Sequence, residues 1–353
     1  MGFLGNFLLN LGAVAAGRQP RRPLLFSYYL THRCGLRCGY CSDGEGKKFQ
    51  DDPVPELDTR GALGLIDLLA RSSDTLDITG GEPMVREDLE ELLARARERG
   101  MRTVLNTKGI GLQGRPGILR LADVLVLGID TLDPAKLAPI IGRPGEVAAE
   151  ILENLRFAVR EAPAAGTRLV LAAVATPGNL DGVREVLAFA EEHGLGFHLS
   201  PEVMGRTANP ALAGSDAYRR LLDEVEERKR RGAWILGVPQ YLRGIRDFSD
   251  FRCHPLLIPM IRPDGRLYYP CLESKRAEVG VPEAGGYEEA LRESQRRSGG
   301  IPACRKCCYI FCHMAISLLQ RHPLAAWREG RWWKRTGRRE TAGGGHRVGQ
   351  ASA

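Results

Sequence analysis

From position 24 onward the sequence alternates between two periods, and few folds accept that rhythm. Apolar, strand-like runs occupy 24–30, 75–79, 103–106, 123–129, 169–175 and 196–200. Between them apolar residues recur every three or four positions. Leu89, Leu92, Leu93 and Ala96 form one such set; Ile151, Leu152, Leu155 and Val159 a second; Val183, Val186, Leu187 and Ala190 a third. That spacing puts each set on one face of a helix. Positions 124–127 are continuously apolar, as a strand buried on both faces requires. Six strand-then-helix units predict an α/β fold, a parallel sheet curled into part of a barrel. Functional groups in such arrangements gather at the C-terminal ends of the strands.

The remaining segments suggest four further units. At 353 residues the chain is long enough for two domains. Residues 1–23 read as an amphipathic leader, with Phe3, Leu4, Phe7, Leu8 and Leu11 at helical spacing, then Arg18, Arg21 and Arg22. No acid precedes Asp43, so this segment suits peripheral contact of residues 1–22 with an anionic membrane, or packing against the core. The apolar part is too short and too interrupted by Asn6 and Asn10 to span a bilayer. Residues 24–212 form the repetitive core, and 213–235 read as a charged connecting helix. Residues 236–321 are short, turn-rich and rich in cysteine, the composition of a small domain stapled by metal. Residues 322–353 read as a basic, disordered tail. From Arg321 onward eight basic residues face two acids, so this end carries +6 of the formal net charge of +7. The rest is nearly neutral, and no aromatic-basic recognition module makes a case for nucleic acid.

Cysteine placement narrows the chemistry. Nine cysteines fall into two groups, Cys34, Cys38 and Cys41, and Cys253, Cys271, Cys304, Cys307, Cys308 and Cys312. With no basic n-region before the first apolar segment no signal peptide is expected, so the expected compartment is cytoplasmic, or peripheral on the inner face of the membrane, and the thiols are expected to hold metal rather than disulfides. Cys34-x3-Cys38-x2-Cys41 directly follows the first strand. Three thiolates on one loop can hold three irons of a 4Fe–4S cluster and leave the fourth without a protein ligand. The competing reading is a structural zinc site completed by a residue such as His32. One strand later comes Thr79-Gly80-Gly81-Glu82-Pro83, where glycines permit close backbone approach and Glu82 and nearby carbonyls can accept bonds from an ammonium group.

Together these motifs resemble the radical S-adenosylmethionine (SAM) enzymes. The resemblance implies a partial (βα)6 parallel barrel followed by a small cysteine-rich α+β domain. It implies a SAM-binding 4Fe–4S cluster on Cys34, Cys38 and Cys41, with SAM held near Gly80, Gly81, Glu82 and Pro83. Asn106 and Thr107 resemble the family's Asn-Thr-Asn-Gly segment, with Lys108 in place of the second Asn, and Tyr40 is the aromatic expected near adenine. Asp130 ends the fourth strand facing the cavity, as a candidate catalytic residue or a turn cap. In the C-terminal region Cys253, the Pro263-Asp264-Gly265 turn, Cys271 and Cys304-x2-Cys307 resemble the auxiliary-cluster extensions called SPASM and twitch. One auxiliary 4Fe–4S cluster on Cys253, Cys271, Cys304 and Cys307 is expected, with Cys308 or Cys312 able to replace a ligand; a zinc knob is the alternative. His254, His313 and Tyr268 lie beside these cysteines in sequence.

The chemistry implied is one-electron cleavage of SAM to methionine and a 5′-deoxyadenosyl radical, which takes a hydrogen atom from substrate. An external donor such as flavodoxin or ferredoxin supplies the electron, and an auxiliary cluster favours net oxidation. The chain is therefore expected to be an oxidoreductase or radical-mediated transferase. A small-molecule or lipid substrate ranks first, because the twitch-like spacing suits the former and the leader helix the latter. A peptide substrate, as in maturases of ribosomally made peptides, comes next, with redox-neutral addition to a lipid as in hopanoid biosynthesis beside it. From another class, a non-catalytic metal-bearing protein using the basic end on nucleic acid predicts no SAM cleavage and steeply salt-dependent binding.

Overall fold

A computed structural model describes residues 2–20, 22–43, 45–301, 304 and 308–336. Its centre is six parallel strands in sequence order: β1 (Phe26–Thr31), β2 (Thr75–Gly80), β3 (Arg102–Thr107), β4 (Val124–Gly128), β5 (Arg168–Ala175) and β6 (Gly196–Pro201). A small hairpin, β7 (Val203–Met204) with β8 (Thr207–Ala208), follows. All six expected strands form, each within two residues of its expected ends. The period of two sorts their side chains. Phe26, Tyr28 and Leu30 of β1, Leu76 and Ile78 of β2, and Leu125 and Leu127 of β4 are buried in the main apolar core. The alternate residues, among them Ser27, Asp77 and Asn106, face one another across the inside of the curl, where Ser27 and Asn106 both donate to Asp77.

Helices fill the crossovers: α1 (Phe3–Ala15), α2 (Thr59–Leu69), α3 (Leu89–Glu98), α4 (Gly117–Leu121), α5 (Pro134–Ile141), α6 (Gly145–Ala165), α7 (Leu180–Glu192), α8 (Pro210–Ala213), α9 (Asp216–Arg230), α10 (Pro239–Asp247), α11 (Tyr287–Ser298), α12 (Phe311–Arg321) and α13 (Pro323–Thr336). Their ends follow local chemistry. Asp58 caps α2 by accepting from Gly61 N at 2.7 Å, and Asp133 caps α5 by accepting from Ala135 N at 2.8 Å. Gly142 ends α5 at φ +60°, a conformation that costs a glycine little.

The C-terminal region does not stand apart from the barrel. Its strands β9 (Met260–Ile261), β10 (Arg266–Tyr269) and β11 (Ala277–Gly280) continue the same sheet in the order β11-β10-β9-β1. β9 pairs parallel to β1, with Ser27 opposite Met260, and β10 runs antiparallel to both of its neighbours. Leu57 N bonds Pro263 O at 2.9 Å, a further tie between the two regions. The connecting segment becomes α9, which buries Tyr218, Leu221, Leu222 and Val225 in the main core. α12 lies against α10, and its first residue Phe311 packs on His198 of β6 and Tyr241 of α10, at the barrel's far strand.

Two terminal expectations change. α1 is a packed helix that buries Asn6 and Asn10 together with Phe7 and Val14, while Leu4, Leu8 and Leu9 are exposed. The segment from 322, expected to be disordered, begins with α13. Ala326 packs against the cluster formed by Phe7, Leu24 and Leu257, and Glu329 pairs with Lys229 of α9 at 2.7 Å. Residues 337–353 lie outside the described residues.

Candidate active site

The three cysteines of the first group sit on the loop leaving β1. That loop is pinned from several sides. Arg37 N and Gly39 N bond Ile141 O and Ile140 O at the end of α5, at 2.8 and 3.1 Å. Lys48 Nζ reaches Cys38 O at 2.7 Å, and Gln50 Nε2 reaches Leu36 O at 2.6 Å. Cys38 is buried, Cys34 and Cys41 half-buried. Burial raises all three thiols; Cys41 is pushed up to about 11, with the Cys38 and Cys34 sulfurs adding to the effect. Among the described residues no three His, Cys, Asp or Glu side chains are close enough to grip a single metal ion. A 4Fe–4S cluster asks for something else, one thiolate for each of three irons, and this donor set fits it.

The Gly-Gly-Glu-Pro segment lies directly against this loop. Gly81 N bonds Thr31 O at 2.7 Å and Glu82 N bonds Arg33 O at 2.9 Å. A Cβ on Gly80 would collide with Thr31 O, and one on Gly81 with Arg33 O. Gly80 also has φ +128°. The glycines are therefore needed first for two backbones to meet, not only for a ligand to approach. Glu82 is buried, and its carboxylate already has three donors: Met84 N at 3.0 Å, Thr107 Oγ1 at 2.6 Å and Lys108 N at 2.9 Å. Burial raises its pKa, with those bonds opposing. Glu82 thus braces the end of β2 against the end of β3. Pro83 is buried in the turn that follows.

Tyr40, Lys108 and Asp130 form a compact triad, Tyr40 from the cysteine loop and the other two from the ends of β3 and β4. Tyr40 OH donates to Asp130 Oδ2 at 2.6 Å, and Lys108 Nζ donates to the same oxygen at 2.8 Å and to Tyr40 OH at 3.0 Å. Asp130 Oδ1 accepts from Val174 N at 2.9 Å, which ties in β5. Burial pulls the Lys108 pKa down, but Asp130 and the nearby Cys38 and Cys41 outweigh it and hold the ammonium above its ordinary value. Asp130 is buried and fully engaged, so it positions Tyr40 and Lys108. Asn106 and Thr107, expected together, point apart. Asn106 faces Asp77 inside the barrel, and Thr107 faces Glu82.

The inside of the barrel holds groups that no sequence motif announced. Burial pushes Asp77 up to about 6 and His198 down to about 3; His198 Nε2 lies 3.0 Å from Ser200 Oγ. A lone acid in Leu76-Asp77-Ile78, between two buried neighbours, was the available signal. Lys48, Gln50 and the Arg143 guanidinium, which donates to Gly35 O, carried none.

In the second group Cys253 N bonds Cys304 O at 3.1 Å. Burial pushes Cys271 up to about 11; Glu273 N and Ser274 N donate to its sulfur, and Cys304 is close enough to add to the rise. Cys253 and Cys304 are thus joined through their backbones, and with Cys271 they supply the type of donor an auxiliary cluster takes. Cys307 lies outside the described residues. Cys308 is buried. Cys312 is the second residue of α12 and sits toward the barrel interior, packed with Tyr29, Phe49, Met260, Tyr268 and Leu272; burial raises it first, then Asp77 and Cys308. Tyr268 OH lies 3.4 Å from His32 Nε2. His254 and His313 are buried, and neither ring has a hydrogen-bond partner among the described residues.

Comparison with known proteins agrees with this layout. Residues 28–200 match the family model described as the radical SAM superfamily. The chain is 29% identical over 238 residues to PqqA peptide cyclase of Ruegeria pomeroyi, covering 63% of this chain and 60% of that one. It is 36% identical over 177 residues to GTP 3′,8-cyclase of Mycobacterium marinum, covering 47% and 46%. The chain spans 60% or less of the length of these two curated relatives. Among solved structures, anSMEcpe with bound AdoMet and Cp18Cys peptide matches with a TM-score of 0.55 at 14% identity, over 88% of this chain and 98% of that one. At that identity the likeness shows the fold alone. Among the described residues no helix is long and apolar enough to cross a membrane.

Proposed function

As the chain belongs to the radical SAM superfamily, we propose that it cleaves SAM reductively and modifies a peptide, with net oxidation assisted by an auxiliary cluster. The observation that carries this reading is the docking of the Gly80–Pro83 turn onto the cysteine loop, through Gly81 N to Thr31 O and Glu82 N to Arg33 O. It brings a cluster-type donor set beside a backbone edge at the barrel mouth. When bound, the reduced cluster supplies the electron that splits SAM into methionine and the radical that takes a hydrogen atom from substrate.

The chain's own residues do the rest. Cys34, Cys38 and Cys41 would hold the first cluster, and the turn that Glu82 braces would present carbonyls to the amino group of SAM. Lys108 and Asp130 fix the Tyr40 ring where adenine is expected. Cys253, Cys271 and Cys304, with Cys307 or Cys308, would hold the auxiliary cluster as the electron's exit. Packing of α12 and of the added hairpin β9–β10 beside β1 limits water at the inner face.

A peptide replaces the small-molecule or lipid substrate that the sequence put first. Its support is the name of the Ruegeria relative and the peptide bound to the fold neighbour. An external one-electron donor and a peripheral membrane contact through residues 1–22 complete the reading. The test is anaerobic reconstitution with SAM, dithionite and a panel of peptides encoded beside the gene. The expected result is 5′-deoxyadenosine together with a peptide lighter by two hydrogens. 5′-Deoxyadenosine with conversion of GTP or another small molecule, and no change in any peptide, would return the substrate to the small-molecule class. No 5′-deoxyadenosine at all would reject the activity.

A further inference from the structure

Among the described residues seven large apolar side chains are exposed, and five of them lie on two helices. Leu4, Leu8 and Leu9 of α1 are 70%, 58% and 43% exposed, and Leu324 and Trp327 of α13 are 79% and 59% exposed. The helices are neighbours. Both pack on α12, and Phe3 and Leu11 of α1 share an apolar cluster with Ala326 of α13.

The rotation of α1 is fixed from its polar side. Asn6 Nδ2 donates to Pro23 O at 2.7 Å and to Ser72 O at 2.9 Å, and Asn10 Nδ2 to Arg22 O at 2.7 Å. A helix meant for water turns its amides out and its leucines in. This one buries Asn6 and Asn10 beside Phe7 and Val14 and leaves Leu4, Leu8 and Leu9 in solvent. The surroundings are basic. Arg18, Arg321 and Arg328 are exposed, and the acids nearby are engaged: Asp74 by Phe3 N, Glu288 by Arg22 and Glu329 by Lys229. Outward leucines and a tryptophan among arginines match an acyl boundary under anionic headgroups.

We propose that α1 and α13 together form a platform that docks on an anionic lipid bilayer. This extends the membrane contact of residues 1–22 to a second helix and gives it a direction. Phe3 N and Asn6 hold α1 to Asp74, Ser72 and Pro23, the residues leading into β2 and β1. The cysteine loop leaves the opposite end of β1, about 20 Å away for six residues. A docked molecule therefore opens its barrel mouth away from the bilayer and takes its substrate from water.

The test is flotation of the full chain with phosphatidylcholine vesicles, with and without phosphatidylglycerol. Binding is expected only to the anionic vesicles and should weaken with salt. Leu4→Ser with Leu8→Ser, and separately Leu324→Ser with Trp327→Ser, should each weaken it about tenfold or more. All four side chains are exposed, and SAM cleavage in solution serves as the control for folding. If only the α1 pair matters, the two-helix platform falls and the contact of residues 1–22 stands. If the wild type never floats, or the leucine variants instead break a dimer, the membrane is the wrong occupant. SAM cleavage and peptide conversion should run equally fast on vesicles and in solution; loss of either on binding would overturn the outward-facing mouth.

Discussion

At Gly81 a single hydrogen atom stands where any other residue has a Cβ, and that space is already taken by Arg33 O. The contact is backbone against backbone, so neither side can turn away as a rotamer would. Gly81→Ala is therefore expected to cost about 1–3 kcal/mol of stability, the usual penalty for overpacking a fixed site. It should also push the turn off the cysteine loop. Urea unfolding measures the first effect and 5′-deoxyadenosine yield the second; a variant normal in both would show that the loop has slack. The neighbouring Glu82 shows how a residue located by motif can carry structural work that the motif does not announce. Its position was legible because Gly-Gly-Glu-Pro is distinctive. Its three donors come from Met84, Thr107 and Lys108, and the register of β3 against β2 brought the last two within reach.

α1 is the element whose composition misleads most. Its leucines suggest an apolar face turned inward, yet the buried side is carried by Asn6, Phe7, Asn10 and Val14. The reason lies in what it covers. The turns before β1 and β2 leave the carbonyls of Arg22, Pro23 and Ser72 facing the interior, and buried acceptors must find donors. Asparagine amides supply them; leucines cannot. Asn6→Ala should leave Pro23 O and Ser72 O without their donor and cost about 1–3 kcal/mol, read by chemical denaturation. An unchanged midpoint would mean that water replaces the amide. α13 teaches a similar lesson from the other end. Its Gly- and Arg-rich context suggested disorder, but the Lys229–Glu329 pair and the packing of Ala326 on the cluster around Phe7 and Leu257 supply local reasons for order.

Over the whole molecule the sheet joins what the sequence separated. β9 adds to β1 in parallel, and β10 and β11 follow, so the cysteine-rich region extends the barrel sheet. Cys271 follows β10 of that extension and Cys253 bonds Cys304 through the backbone, whereas Cys34, Cys38 and Cys41 share the loop after β1. The two donor sets should therefore load independently. The Cys34→Ala, Cys38→Ala, Cys41→Ala triple variant, reconstituted anaerobically, is expected to keep about four irons with a 4Fe–4S EPR signal while losing SAM cleavage. Loss of all iron would make the C-terminal cysteines a zinc or purely structural site and would favour a redox-neutral reaction.

What the sequence determined by itself was local and periodic. The six strands, the helix faces around Leu92, Leu152 and Val186, and the two motifs at strand ends follow from alternation, helical spacing and the chemistry of cysteine and glycine, each readable within about ten residues. The tertiary structure decided what depends on partners distant in sequence. It turned Asp130 into a clamp on Tyr40 and Lys108, set Cys312 beside Tyr29, and turned Leu4, Leu8 and Leu9 of α1 outward. Each of those outcomes depends on which donors and acceptors the sheet brings face to face, and no spacing along the chain encodes that.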